Sequence, residues 1–133
     1  MENRLRCGEQ VTPAQYEWAR CRPYIEAALE RSPGLETIED VERRIQDGRY
    51  LFWPGKKSAA ITEVVQYDQK CAMVMIHGGG DMAEMLEMEP FICGYAKALG
   101  CQLILGTGRK GWEKPGLKRG YKFAWITMWK ELD

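Results

Sequence analysis

The stretch Cys71–Leu105 constrains this chain more than any other. Cys71–His77 is a nearly unbroken apolar run of strand length, the pattern of a strand covered on both faces. Gly78-Gly79-Gly80 ends it abruptly. From Asp81 to Leu99 the apolar residues recur at helical spacing, with Met85, Met88, Ile92, Tyr95 and Leu99 on one side. Pro90 interrupts that helix as a kink, because it removes one backbone donor, and Gly100 closes it. Gln102–Leu105 is a second short buried-type strand. A strand, a helix and a strand in that order imply two parallel neighbours joined by a right-handed crossover.

The flanking residues build the rest of a sheet around this unit. Thr12-Pro13 opens a helix with a hydroxyl cap and proline at the first position, and Pro23 either kinks it or starts a second one. Thr37 with Asp40 reads as a capping box ahead of the stripe Ile38, Val41 and Ile45, with Gly48 at its close. Arg49–Trp53, stopped by Pro54-Gly55, and Ser58–Tyr67 read as two arms of a hairpin. Arg109–Arg119 is a basic segment broken by glycine and proline. Tyr121–Trp129 reads as a last strand, whose period of two sets Tyr121, Phe123 and Trp125 on one core-facing side. The predicted architecture is α/β (α+β): a mixed, mostly antiparallel central sheet with helices on both faces.

At 133 residues the chain has room for one domain, with 1–36 as a helical part and 37–133 as the sheet-containing core. Its longest apolar runs fall far short of the roughly 20 residues of a membrane-spanning helix, so no membrane partner is expected. The polar stretch Met1–Gln10 lacks the apolar core of a signal peptide, which predicts a cytoplasmic protein. Five cysteines (Cys7, Cys21, Cys71, Cys93, Cys101) form no C-x-x-C pair and cannot all pair within one chain, so buried thiols are expected. With one histidine, His-based zinc sites are nearly excluded and no metal is expected. The formal charge is zero, yet Asp81–Glu89 is acidic while Arg109–Lys122 carries six basic residues against Glu113 alone. The basic residues and interleaved aromatics admit a nucleic-acid reading, but a core-facing Tyr121–Trp125 makes nucleic acid an unlikely partner.

The order of these elements resembles the GNAT superfamily of acyl-CoA N-acyltransferases over residues 38 to 132. Tyr95–Tyr121, YAKALGCQLILGTGRKGWEKPGLKRGY, is similar to the closing half of that fold: a helix ending in Gly-Cys, a buried strand, a short helix and a Gly-aromatic step. GGGDM at Gly78–Met82, ALGC at Ala98–Cys101, GRKGW at Gly108–Trp112 and RGY at Arg119–Tyr121 together resemble small GNAT-like proteins of tailed phages and prophages. The resemblance implies acetyl-CoA or another acyl-CoA as donor and an amine as acceptor. It also implies a bulged, splayed strand at Val74–Gly78 framing the pantetheine arm.

In that family a Gln/Arg-x-x-Gly-x-Gly/Ala loop holds the pyrophosphate on backbone N–H groups at a helix start. The corresponding stretch here is Gly80–Met85, where only Ala83 matches. The cofactor-binding set that the resemblance implies is Gly78, Gly79, Gly80, Asp81, Met82 and Ala83, joined by Arg109 and Lys110 from the basic segment. Three glycines can aim several N–H groups at one phosphate, or simply make a turn that needs positive φ. Asp81 is a natural helix cap with Glu84 three residues on; a carboxylate at a helix start opposes a second anion by around 1 kcal/mol.

His77 at the end of the Cys71–His77 strand is a candidate base for freeing an ammonium lone pair. Glu63, alternating with apolar neighbours in Ile61–Val65, is a second, and both are equally read as structural side chains. The tyrosine that family members use as an acid corresponds to Gly116. Two functions therefore remain open. One is acyl transfer from acyl-CoA to an amine. The other is a catalytically inactive phage or prophage protein of this shape, acting through protein binding in virion assembly or host interaction.

Overall fold

The computed structural model describes residues 11–108 and 110–132. Helix α1 (Pro13–Leu29) begins at Thr12, whose hydroxyl accepts from the Gln15 amide while the Gln15 side chain accepts from the Thr12 amide. Pro23 lies inside α1 without ending it. Cys21 and Ile25, fully buried on either side of the proline, hold the helix against the sheet and offset the missing bond. Helix α2 (Ile38–Gln46) opens on the Thr37/Asp40 box that the sequence predicts, and Gly48 just past its end takes φ +78°.

Four strands follow the order β1-β2-β3-β4: β1 (Tyr50–Pro54), β2 (Ser58–Gln66), β3 (Cys71–Gly80) and β4 (Leu103–Gly106). The first two pairings are antiparallel and the third is parallel. The crossover between β3 and β4 is α3 (Met82–Ala98), with Pro90 inside it. A 3₁₀ turn (Lys110–Trp112) and α4 (Glu113–Lys118) come next. On one sheet face Tyr50, Ala59 and Ile61 pack under α1 and α2 with Cys21, Ile25 and Val41. On the other, Met73 packs under α3 with Ile92 and Ala96. The mixed, mostly antiparallel sheet with helices on both faces is the predicted fold class.

Two expectations are corrected. Gly78–Gly80 is not the turn after the strand but its last three residues, paired with Ala60, Ala59 and Ser58. Glycine is needed at Gly79 because α1 crosses there: an added Cβ would stand 2.1 Å from the Tyr24 carbonyl oxygen. Tyr121–Trp129 forms no strand among the described residues. Tyr121 alone is anchored, its amide bonded to the Gly116 carbonyl and its hydroxyl to Glu89. Phe123 and Trp125 stand exposed instead of facing the core. Alternating apolar residues show that a segment can line a sheet, but not that its own chain offers it an edge.

Candidate functional site

The site begins with an irregularity in β3. Thr62 pairs with Met75 and Ile61 with His77, so Ile76 is an extra residue: a β-bulge. The bulge resets the alternation of side chains. Met75 packs with the α3 cluster, while Ile76 packs with the α1/α2 cluster. His77 then also reaches the α1/α2 side, where its Nε2 bonds Glu36. Strict alternation would have sent His77 to the α3 face.

Glu36 precedes the cap of α2 and gathers three partners. Besides His77, it accepts from Arg44 Nη1 at 2.5 Å and from the Tyr50 hydroxyl at 3.0 and 3.1 Å. The His77 and Glu36 side chains are each only 11% exposed. Burial first, then the bond to Glu36, pushes the Tyr50 phenol up to about 12. An ionised carboxylate only accepts, so the histidine donates from Nε2; in the neutral ring this tautomer has its lone pair on Nδ1. A hollow of about 300 Å³ adjoins Glu36, lined also by Glu26 and Leu29 of α1, by Glu30 just past its end, and by Ile38.

Next to His77 the parallel pairing ends. Pairing between β3 and β4 runs from Ala72–Leu103 to Met75–Gly106, and the Thr107 hydroxyl donates to the Met75 carbonyl where it stops. Ile76–Gly80 continue beyond, with only β2 as a strand neighbour among the described residues. The bulge and the end of the parallel pairing thus both fall within Val74–Gly78. Helix α3 starts just past the end of β3. Asp81 caps it by accepting from the Ala83 amide at 3.0 Å, so one of the first-turn donors is already engaged. Met82 is the first helical residue, and Gly111 lies close by: a Cβ there would stand 3.9 Å from Met82 Cε. Lys110 belongs to the same 3₁₀ turn as Gly111, while Arg109 lies outside the described residues.

Glu84, which the sequence presents as a repelling charge, is turned elsewhere. It accepts from the Lys57 amide at 2.9 Å and from the Ser58 hydroxyl, closing α3 onto the β1–β2 turn. The Ser58 hydroxyl, followed by the Lys57 amide, lowers its pKa below the ordinary 4.5. A carboxylate lowered by folding stabilises above its unfolded pKa and loses that contribution as pH falls through the folded value. Glu84→Gln is therefore expected to lower the denaturation midpoint at neutral pH. The gap to the parent should shrink below about pH 4.5 and vanish in stronger acid; a gap independent of pH would refute this role.

The remaining candidates lie apart. Glu63 sits opposite Val74, where β3 is still paired to β4, and is ion-paired with Arg49 at 2.5 Å. Tyr121 is bonded to Glu89 at 2.8 Å, and burial pushes its phenol up, which makes it a poor acid. Burial also raises the Cys21, Cys93 and Cys101 thiols, Cys93 to about 11, so none is primed as a nucleophile. Cys71 and Cys101 lie with sulfurs 3.6 Å apart as a thiol pair. A larger hollow of about 410 Å³ opens between α1, the β1–β2 turn and α3, where Glu17, Glu84 and Glu87 outnumber Arg20 and Lys56. It lies away from the bulge and its charge disfavours an anion. Among the described residues no three metal-ligating side chains converge and no helix is long and apolar enough to cross a membrane. Sequence reasoning missed Glu36, Arg44 and Tyr50 around His77, and only the capping box at Thr37 marked that neighbourhood.

A mixed, bulged four-stranded sheet with helices on both faces is an acyl-CoA N-acyltransferase-like fold. Solved structures of that class superpose on the chain. An aminoglycoside N-acetyltransferase in complex with CoA matches with a TM-score of 0.64 at 10% identity, covering 88% of this chain and 87% of that one. A GNAT family acetyltransferase from Staphylococcus aureus matches with a TM-score of 0.59 at 10% identity, covering 92% and 95%. A glucosamine-6-phosphate N-acetyltransferase from Arabidopsis thaliana matches with a TM-score of 0.57 at 14% identity, covering 80% and 88%. No protein-family model and no curated protein matches the sequence.

Proposed function

We propose that this chain transfers an acyl group from acyl-CoA to a cationic amine in the cytoplasm, with His77 as the base. The observation that carries the reading is the bulge at Ile76, which sets an oriented histidine just past the last paired residue of the parallel strands. The open edge of Ile76–Gly80 offers main-chain groups to the amides of a pantetheine arm. Lys110 and the α3 start, with Met82 and Ala83, flank the far end for the diphosphate. The hollow beside Glu36, walled by Glu26 and Glu30, suits an incoming ammonium. His77 takes the ammonium proton at Nδ1, and Glu36 stabilises the imidazolium that results. The freed amine attacks the thioester carbonyl. The new C–N bond forms and the C–S bond breaks; the attacking nitrogen loses its second proton, which passes through water to the departing thiolate, since Gly116 stands where a tyrosine acid would.

Residues at the α3 start fit this donor with one exception, the Asp81 carboxylate. Asn caps a helix as well as Asp, so Asp81→Asn removes the charge and keeps the cap. Affinity for acetyl-CoA should rise about two- to five-fold, from relief of about 0.3–1 kcal/mol of repulsion. Unchanged affinity would place the diphosphate elsewhere. The same Asp81 supports a second reading, in which the fold binds no acyl-CoA and the chain acts by docking on another protein, in virion assembly or host interaction. Calorimetric titration with acetyl-CoA separates the two. Micromolar binding supports transfer, and silence at millimolar ligand leaves the docking role.

A further inference from the structure

We infer that the segment 121–132 adds as a strand to the free edge of β4 in a second copy of the chain, two copies exchanging their segments about a two-fold axis. The inference rests on neither reading of the acyl-CoA site.

The first observation is a large apolar surface with nothing on it. Phe123, Trp125, Ile126, Met128, Trp129 and Leu132 are between 63% and 87% exposed, and the segment that carries them belongs to no helix or strand. Isolated exposed apolar residues are ordinary, but six within ten consecutive positions form a patch that marks an interaction site. Their spacing defines its shape. In extended backbone, Phe123, Trp125 and Trp129 fall on one side and Ile126, Met128 and Leu132 on the other. A strand apolar on both sides is one covered on both sides. It belongs inside a layered sheet, not on a solvated edge. Lys122, Lys130 and Glu131 are its only charges, too few to bind a phosphate backbone.

The second observation is the edge that could take such a strand. β4 is paired to β3 on one side and, among the described residues, to nothing on the other. An open edge is a row of unmet backbone donors and acceptors, a template for another strand. Leu103 on it is exposed, with Ile104 beside it on the α3 core. Donor and acceptor therefore occur in the same chain.

Its own edge is not where the segment goes. Tyr121 is fixed at the end of β4: its ring lies 3.6 Å from where a Gly106 Cβ would stand, and its hydroxyl is bonded to Glu89 of α3. From that anchor every described residue from Lys122 onward is exposed. The segment is thus held at the end of the edge without pairing to it. A two-fold axis satisfies both halves at once, because each copy offers the strand that the other lacks. The area is sufficient. Each aromatic side chain brings about 150–250 Å², so three aromatic and three aliphatic side chains from each of two copies reach the roughly 1,200–2,000 Å² of a stable interface.

The test is light scattering on the full chain across micromolar concentrations, with hydrogen exchange of the Tyr121–Trp129 amides at each. A dimer is expected, with these amides protected at high concentration and released on dilution. Trp125→Lys and Ile126→Lys should each raise the dissociation constant about 30-fold or more, as for a central interface side chain. Both residues are exposed in the single copy, so the variants keep their circular dichroism and still unfold cooperatively, with a midpoint lowered only by the lost association. A chain that stays monomeric overturns the inference. So does a dimer indifferent to both substitutions, or amide protection equal at every concentration, which would mean that the segment folds onto its own β4.

Discussion

His77→Ala is expected to lower the rate of amine acylation by about 10²–10⁴-fold, the span that a positioned base supplies, with little change in acetyl-CoA affinity. The separation follows from where the residue sits. His77 follows the bulge and bonds Glu36 on the α1/α2 side of the sheet, whereas the α3 start, proposed for the diphosphate, begins at Met82 beyond the end of β3. Removing the imidazole does not strand its partner, because Glu36 still accepts from Arg44 and Tyr50. The variant should therefore keep its thermal midpoint within a few degrees, and the rate loss belongs to chemistry. Glu36→Gln separates orientation from charge. The amide oxygen can still receive the Nε2 proton, but the negative charge that favours the imidazolium is gone. An intermediate loss in turnover with unchanged acceptor KM is expected. Full activity in His77→Ala would remove this residue from the mechanism and leave solvent as the proton acceptor.

Most of the scaffold could be read before any coordinates, because local chemistry fixes it. The Thr12 and Thr37 caps, the hairpin around Pro54-Gly55, and the crossover from Cys71 to Leu105 all stand where propensity and period place them. The site was less legible for a specific reason. Cys71–His77 is apolar almost throughout, so nothing in it shows which residue is the extra one, and the bulge decides the face to which His77 points. Its partner Glu36 is 41 residues away along the chain, beyond the reach of any spacing rule. Glu84 reads as a solvated helix charge until the β1–β2 turn is seen to fold back over it. The segment after Tyr121 carries a genuine strand pattern, but pairing is a property of edges, and among the described residues no edge receives it.

The largest loss of stability is expected from the smallest side chain. In Gly79→Ala the new methyl would stand 2.1 Å from the Tyr24 carbonyl oxygen and 2.9 Å from its carbon. Both atoms are α1 backbone, so no rotamer change relieves the overlap; either the helix or the strand must withdraw. Neither moves freely. Cys21 and Ile25 of α1 are fully buried against Ala59 and Ile61, and a retreat opens that contact along its length. Overpacking of a well-filled core costs about 1–3 kcal/mol, and a rigid backbone neighbour puts this substitution at about 3 kcal/mol or above. Gly94→Ala provides the control. It lies within α3 with nothing within 4 Å of an added Cβ, so alanine there should be neutral or stabilise by about 0.5–1 kcal/mol. Urea unfolding followed by circular dichroism reads both. If Gly79→Ala matched the parent midpoint, α1 could not lie this close to β3. The enclosure of His77 on the α1/α2 side, and with it the orientation of the base, would then lose its support.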